Sequence, residues 1–318
     1  MQVVDTATRL TLIRGLSEYS LSDATVLFDT SDGPVYFVYE ADNGIGMAPL
    51  TRFAERGPSQ HGDTDLGFML EPRSLSYIFG IFAPGNTRDT RHLETARMLL
   101  LQRFRPSLSP LSLRYDRANG DVMQIDGHFA EGMQFGSTER IEGTWYQRFS
   151  VNLKMNDPTW YNPTLHVSTA TDDLWEGGTP VPMSVPTPVG RSRFIGTTVI
   201  EYAGSWDTYP TLRVTGPIHD FQIYNVAGEQ DAFILPFSGF VPHGSYWDII
   251  LESGSKSVVD EDGNSMLAYL GDPNHLSTFR IVAEPDADGG INSITMSGYG
   301  ANGDTSLQVT YTDRYVGI

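Results

Sequence analysis

Apolar and polar residues alternate in short runs along most of this chain, and Gly, Pro, Asn and Asp cut the runs into pieces of strand length. In the first half, Thr25–Leu27, Val35–Tyr39 and Gly67–Leu70 read as strands, with a turn at Asp32-Gly33-Pro34. The stretch from Asp42 to Asp65 is Gly-rich and polar, and reads as a long loop or a hairpin arm. One helix stands out. Asn86 or Thr87 can cap it, Asp89 and Glu94 sit near its N-terminal end, and Pro106 stops it. Leu93, Ala96, Leu100 and Phe104 fall on one face at helical spacing, while Arg88, Arg91, Arg97 and Arg103 decorate the rest. Strands resume at Leu111–Tyr115 and, after the Asn119-Gly120 turn, at Val122–Phe129 and Trp145–Met155.

The run from Asn156 to Pro163 ends this part. A Pro-rich stretch follows, with Pro180, Pro182, Pro186 and Pro188, and reads as an extended connector or arm over about residues 177–190. From Phe194 onward helical periodicity is nearly absent. Strands are expected at Thr197–Tyr202, Thr211–Thr215, Phe221–Asn225, Ala232–Leu235, Tyr246–Leu251, Ser257–Val259, Ser265–Leu270, Thr278–Val282, Ile291–Ser297 and Ser306–Tyr311. Their close, regular spacing is that of an antiparallel sandwich. The pattern therefore predicts a mostly β chain of two domains, 1–157 and 158–318, and Asp157–Gly190 could belong to either.

Composition agrees with two domains. The 318 residues are 40% hydrophobic and 19% charged, with 32 Gly and 19 Pro. There is no cysteine, so disulfides, thiolate metal sites and Cys nucleophiles are excluded. The N-terminal residues lack the basic and apolar regions of a secretory signal, and the most apolar stretch, Tyr77 to Ala83, is far short of a membrane span. The net charge of -18 is divided unevenly, -5 over residues 1–160 and -13 over 161–318. An acidic surface disfavours nucleic-acid binding. The Arg-rich first half suits contacts between subunits, or is ordinary solvated surface charge.

No motif for chemistry survives inspection. Gly298–Gly303 matches G-x-G-x-x-G, but only fifteen residues follow and they read as a strand, so a hairpin loop is expected. Asp260–Asn264 and Asp286–Gly289 resemble the start of a calcium loop, yet the twelfth positions are Gly271 and Ser297 rather than Glu. The seven His show no zinc spacing, and there is no G-x-S-x-G elbow. A triad or a carboxylate pair assembled from distant residues stays open. Trp206, Tyr209 and Trp247 could stack on a sugar ring or simply fill the sandwich. No catalytic residue, cofactor or metal is assigned.

Several passages, in order, resemble the distal tail protein family of long-tailed bacteriophages. In the first half they are the helix around Arg91–Phe104, Pro110-Leu111-Ser112-Leu113-Arg114-Tyr115, Asp126-Gly127-His128-Phe129, and Tyr146 to Leu153 running into Asn156 to Tyr161. In the second they are Tyr202 to Pro210, Leu212 to Pro217, Gly289 to Ile294 and the close Tyr311 to Ile318. The resemblance spans nearly the whole chain. It implies a tail-tube-like split β-barrel with one helix over 1–157, closing as a hexameric ring around a DNA channel, and a galectin-like β-sandwich over 158–318 serving as an attachment platform. It implies a structural role without catalysis, located at the virion tail tip and in the host cytoplasm during assembly. The implied partners are further copies of the chain, the tail tube protein, the tail hub or tail-associated protein, the tape-measure protein, and fibres or receptor-binding proteins. The DNA passes through the channel, whose wall is expected to be acidic. Within that picture Arg88, Arg91, Arg97 and Arg103 pair with acids of a neighbouring subunit. The long stretch Thr179 to Gly190 departs from the family's pattern. The alternative readings are a carbohydrate-binding sandwich that contacts host glycans and a glycosidase on a β scaffold.

Overall fold

The computed structural model describes residues 9–14, 17–20, 26–30, 33–83, 91–106, 110–117, 119–141, 144–171, 193–227, 231–252 and 254–318. The Pro-rich stretch, the helix cap at Asn86 or Thr87, and Arg88 lie outside these residues. The chain packs as two compact units, Met1–Pro163 with Tyr315–Ile318, and Thr164–Arg314. It is mostly β with one α-helix, as the alternation predicts.

The first unit holds β1 (Arg9–Arg14), β2 (Ser17–Ser20), β3 (Val26–Thr30), β4 (Gly33–Asn43), β5 (Leu50–Glu55), β6 (Thr64–Leu70), β7 (Arg73–Ala83), α1 (Arg91–Arg103), β8 (Leu111–Asp116), β9 (Val122–Phe129), β10 (Gln134–Ile141), β11 (Thr144–Met155) and β12 (Trp160–Tyr161). One antiparallel sheet runs β2-β1-β8-β9-β11-β7-β4-β3. Among the described residues no pairing closes this path into a barrel. Strand β11 is its spine. It pairs with β7 along eleven residues, from Trp145↔Ala83 to Met155↔Arg73. Its other edge is shared, with β10 beside its first half and β9 meeting only Leu153 and Lys154.

The core of this unit follows strand and helix periods. Leu75, Tyr77, Phe79 and Ile81 of β7 and Phe149, Val151, Leu153 and Met155 of β11 point inward at every second residue. The expected apolar face of α1 is buried as read: Leu93, Ala96, Leu100 and Phe104 all belong to the core, and α1 packs on β3, β4, β7 and β11.

The second unit is a two-sheet sandwich. It holds β13 (His166–Ala170), β14 (Arg193–Glu201), β15 (Thr211–Thr215), β16 (Ile218–Ala227), β17 (Asp231–Val241), β18 (Tyr246–Ile250), β19 (Ser257–Asp260), β20 (Ile291–Tyr299) and β21 (Ser306–Tyr311). One sheet runs β13-β21-β15-β18-β19 and the other β14-β20-β16-β17. Their inner faces share one core. Trp247 from the first sheet bridges to the second, with its ring 5.8 Å from Phe221 and 6.0 Å from Phe237. That assigns Trp247 to the core. Trp206 is half-buried, and so is Tyr209, which lies under the Lys256 ammonium at 4.7 Å.

Three expectations for this unit need correction. Gly298–Gly303 is not a hairpin loop, because β20 and β21 lie in different sheets and the loop crosses from one to the other. Ser265–Leu270 holds a single turn of 3-10 helix, Leu267–Tyr269, where a strand was expected. Met266 and Leu270, one helical turn apart, are the two residues packed against the core there, so the local apolar period is that of a helix. Thr278–Val282 forms no strand either, making one ladder-like bridge, Ile281 to Thr208. The Thr278 and Phe279 amides donate to His275 O, and the Arg280 carbonyl accepts from the Asn225 side chain. Asn292, fully buried, accepts from the Val282 amide and donates to the Val282 carbonyl, both at 2.9 Å. The same carboxamide donates to Gly290 and accepts from the Asn225 amide group at 3.0 Å. A carboxamide can thus stand in for the strand neighbour that this apolar segment would otherwise need.

Replacing Asn292 by Leu leaves the Val282 amide and carbonyl buried without partners. We expect it to destabilise the second unit by about 3 kcal/mol. In hydrogen exchange of the full chain, protection should fall through 279–292 while the first unit's amides are unchanged.

Candidate subunit interface

Strand β7 begins one step too early for a core strand. Its inward stripe of Leu75, Tyr77, Phe79 and Ile81 continues backwards in phase to Arg73, which is therefore directed into the core and is 1% exposed. A buried guanidinium needs partners for its donors. Here they are backbone carbonyls. Nε donates to Pro158 O at 2.9 Å. Nη1 donates among three successive carbonyls, Gly44 at 2.9 Å, Ile45 at 2.8 Å and Gly46 at 2.5 Å. Nη2 donates to Val316 O at 2.6 Å. The guanidinium also lies 5.9 Å from the centre of the buried Trp160 ring. Burial pulls its pKa below the ordinary arginine value, and Tyr77 acts weakly the other way. Arginine starts so high that the group stays charged.

The cup depends on local backbone. Gly44 has φ +96°, and a Cβ there would lie 2.3 Å from Ser74 O. Only glycine allows this bend and this approach. The Val316 carbonyl also accepts from the Ala48 amide at 3.3 Å, so the last residues of the chain close the same knot.

From this knot an arm leaves the sheet. Residues 47–72 carry β5 and β6, which pair only with each other, from Leu50↔Leu70 to Glu55↔Thr64. This settles the Asp42–Asp65 reading as a hairpin arm. The tip is stiffened by side chains. Gln60 accepts from the Gly57 amide at 2.9 Å and donates to Thr64 Oγ1 at 2.8 Å. Arg52 and Asp65 form an exposed ion pair at 2.8 Å. No residue of β5 or β6 is buried. Met47, Leu50, Phe53, Leu66, Phe68 and Met69 are 41–67% exposed. They occupy both faces, since Phe68 and Leu70 lie opposite Arg52 and Leu50 while Met69 lies opposite Thr51. A two-stranded ribbon alone is marginal in water, and exposed apolar clusters of this kind mark contact surfaces.

Of the four arginines expected at a subunit contact, Arg88 lies outside the described residues. Arg91 is exposed at the start of α1, and Arg103 is the helix's last residue. Arg97 is half-buried and used within its own fold: Nη2 donates to Gln147 Oε1 at 2.7 Å, and the guanidinium lies 5.4 Å over Phe135. The arm was legible as an arm. Its apolar character was hidden by the polar residues interleaved with it.

Among the described residues no group of three or more His, Asp or Glu could hold a metal. In Asp260–Asn264 the Asp260 carboxylate accepts from the Asn264 side chain and from the amides of Asn264 and Asp262, which fills it locally and holds its pKa down. No helix among the described residues is long and apolar enough to cross a membrane.

No known family profile matches the sequence, and no curated protein matches it. Among solved structures, the SPP1 Dit (gp 19.1) protein, described as a paradigm of the hub adsorption apparatus in phages that infect Gram-positive bacteria, superposes with a TM-score of 0.58. The match is 14% identical and covers 96% of this chain and 98% of that one. A chain in the structure of the phage P2 baseplate in its activated conformation with Ca aligns over 95% and 97% of the two chains, at 10% identity and a TM-score of 0.38. The likeness to SPP1 Dit is one of fold, and it extends over both units.

Replacing Arg73 by Met removes a donor from five carbonyls, and replacing it by Lys keeps the charge but loses the planar fork. We expect both to destabilise the knot by about 3 kcal/mol. Hydrogen exchange at the arm's base, Gly44–Ala48, should then accelerate on the order of a hundredfold. The five-stranded sheet of the second unit should be unaffected.

Proposed function

We propose that this chain is a structural subunit of a bacteriophage tail tip, a distal tail protein. Copies of its first unit close into a hexameric ring around the DNA channel and join the tail tube to the hub. The observation that carries this reading is the likeness of fold to SPP1 Dit along essentially the whole length of both chains. The apolar arm adds a physical reason for self-assembly. A ring needs a heterologous contact, one surface on each copy meeting a different surface on the next. An arm with apolar residues on both faces, held rigid at its base, is such a surface.

In this reading the second unit, a galectin-like sandwich in fold, serves as an attachment platform for fibres or receptor-binding proteins. The tape-measure protein and the tail tube meet the ring, and the DNA passes an acidic wall without being held. The chain then works by shape and contact, and no catalytic group is required of it.

Purified full-length protein should form a ring with a central opening in negative-stain images and a hexamer by light scattering. Leu66→Asp or Phe68→Asp should reduce it to monomers with an unchanged circular dichroism spectrum, because a carboxylate placed in an apolar contact costs several kcal/mol, roughly, per subunit boundary. A wild-type chain that stays monomeric at every concentration and is missing from purified virions would reject the reading.

A further inference from the structure

The outer face of the four-stranded sheet in the second unit is concave at one end. Cross-strand register places Arg193, Tyr299, His219 and Phe240 side by side in one row across β14, β20, β16 and β17. The next row on the same face is Ile195, Ser297, Gln222 and Pro236. Between the rows β16 carries an extra residue, Asp220, with φ +49°, so three steps along β16 match two along β20. A bulge of this kind spreads the ladder and re-aims side chains. It opens a cavity of about 400 Å³ lined by Arg193, Asp220, Gln222, Ser238, Ser297 and Tyr299.

Three features point to the occupant. The first is the Tyr299 ring, which lines the cavity and is 42% exposed, with the His219 ring 6.2 Å away. The second is the hydroxyl of Ser297, which also lines the cavity. The third is a polar rim in which the Asp220 carboxylate lies 3.2 Å from His219 Nδ1 and the carboxamide of Gln222 offers both a donor and an acceptor. An exposed ring beside neutral hydrogen-bonding groups suits a neutral polyol ring, with C–H bonds on one side and paired hydroxyls on the other.

We propose that this groove is a carbohydrate-binding site for a neutral pyranose unit, in which Tyr299 stacks on the sugar's C–H face and Gln222 and Ser297 pair with its hydroxyls. This goes beyond the ring assembly and does not rest on it.

Saturation-transfer NMR on the full-length protein tests the site with three probes, methyl α-D-glucopyranoside, methyl β-D-galactopyranoside and N-acetyl-D-glucosamine, and with glycerol as an acyclic polyol control. At least one pyranose should receive saturation at its ring C–H protons, and glycerol should not. Tyr299→Ala and Gln222→Ala should each weaken that binding by about tenfold. Both side chains are at the exposed rim, and Tyr299→Phe keeps the stacking ring and should retain binding. Absence of transfer to all three sugars, transfer equal to that of glycerol, or binding unchanged in both alanine variants would overturn the proposal. Light scattering on the same samples reads ring formation independently, so the two readings fail separately.

Discussion

The first unit is organised around a positive charge with no carboxylate among its hydrogen-bond acceptors. The Arg73 guanidinium is buried, and five backbone carbonyls from three separate stretches of chain accept from it. A buried carbonyl needs a partner, and the arginine reaches all five. The arginine solves this once for the bend at Gly44–Gly46, for the turn at Pro158 and for the chain's last residues. A carboxylate counter-ion would have been bound in one direction. A fork with five donors instead gathers acceptors from several directions, which is what fixes the place where the arm departs.

That constraint also explains which features could be read from the residues alone. Leu93, Ala96, Leu100 and Phe104 were legible because their spacing has one structural meaning and the packing uses it. Val122–Phe129, Thr211–Thr215 and Ser306–Tyr311 were legible for the same reason, with turn residues bounding an alternating run. Strand β7 was seen only as an apolar stretch, because Ile78, Phe82 and Ala83 break its alternation. Arg73 was missed since an arginine before a strand normally reads as surface. The signal was its phase with Leu75, Tyr77, Phe79 and Ile81. The failure at Thr278–Val282 has the opposite cause. The segment does have a strand's residues, but Asn292, a polar residue ten positions after Val282, completes that residue's backbone bonds. Periodicity reports burial, and it cannot report which atom completes a backbone pair.

The two units handle exposed ladder and exposed apolar surface differently. The second hides its aromatic mass between two sheets, with Trp247, Phe221 and Phe237 tying them together. Outside, its exposed apolar residues, such as Val167, Val199 and Ile291, are spread over separate strands, and a polar-rimmed cavity lies at the bulge beside Asp220. The first unit leaves outside a whole hairpin. Of its helix arginines, Arg97 is turned back onto Gln147 and Phe135. The exposed apolar surface of the arm is a second candidate contact beside the charge on the helix.

The arm's own energetics favour such a contact. Two strands bonded only to each other gain too little from their ladder to offset the entropy of ordering a dozen residues. Side-chain bonds at the tip and the arginine knot at the base lower that cost at the two ends. In the middle, Phe53, Leu66 and Phe68 are 44–62% exposed. Burying each of these side chains fully would contribute ~1.5–3 kcal/mol. A contact that covers several of them would complete the arm and be held by it at once. In such an arrangement the order of the arm and the closing of an assembly are the same equilibrium, and the buried arginine at its root is what keeps the free subunit close to the shape that closing requires.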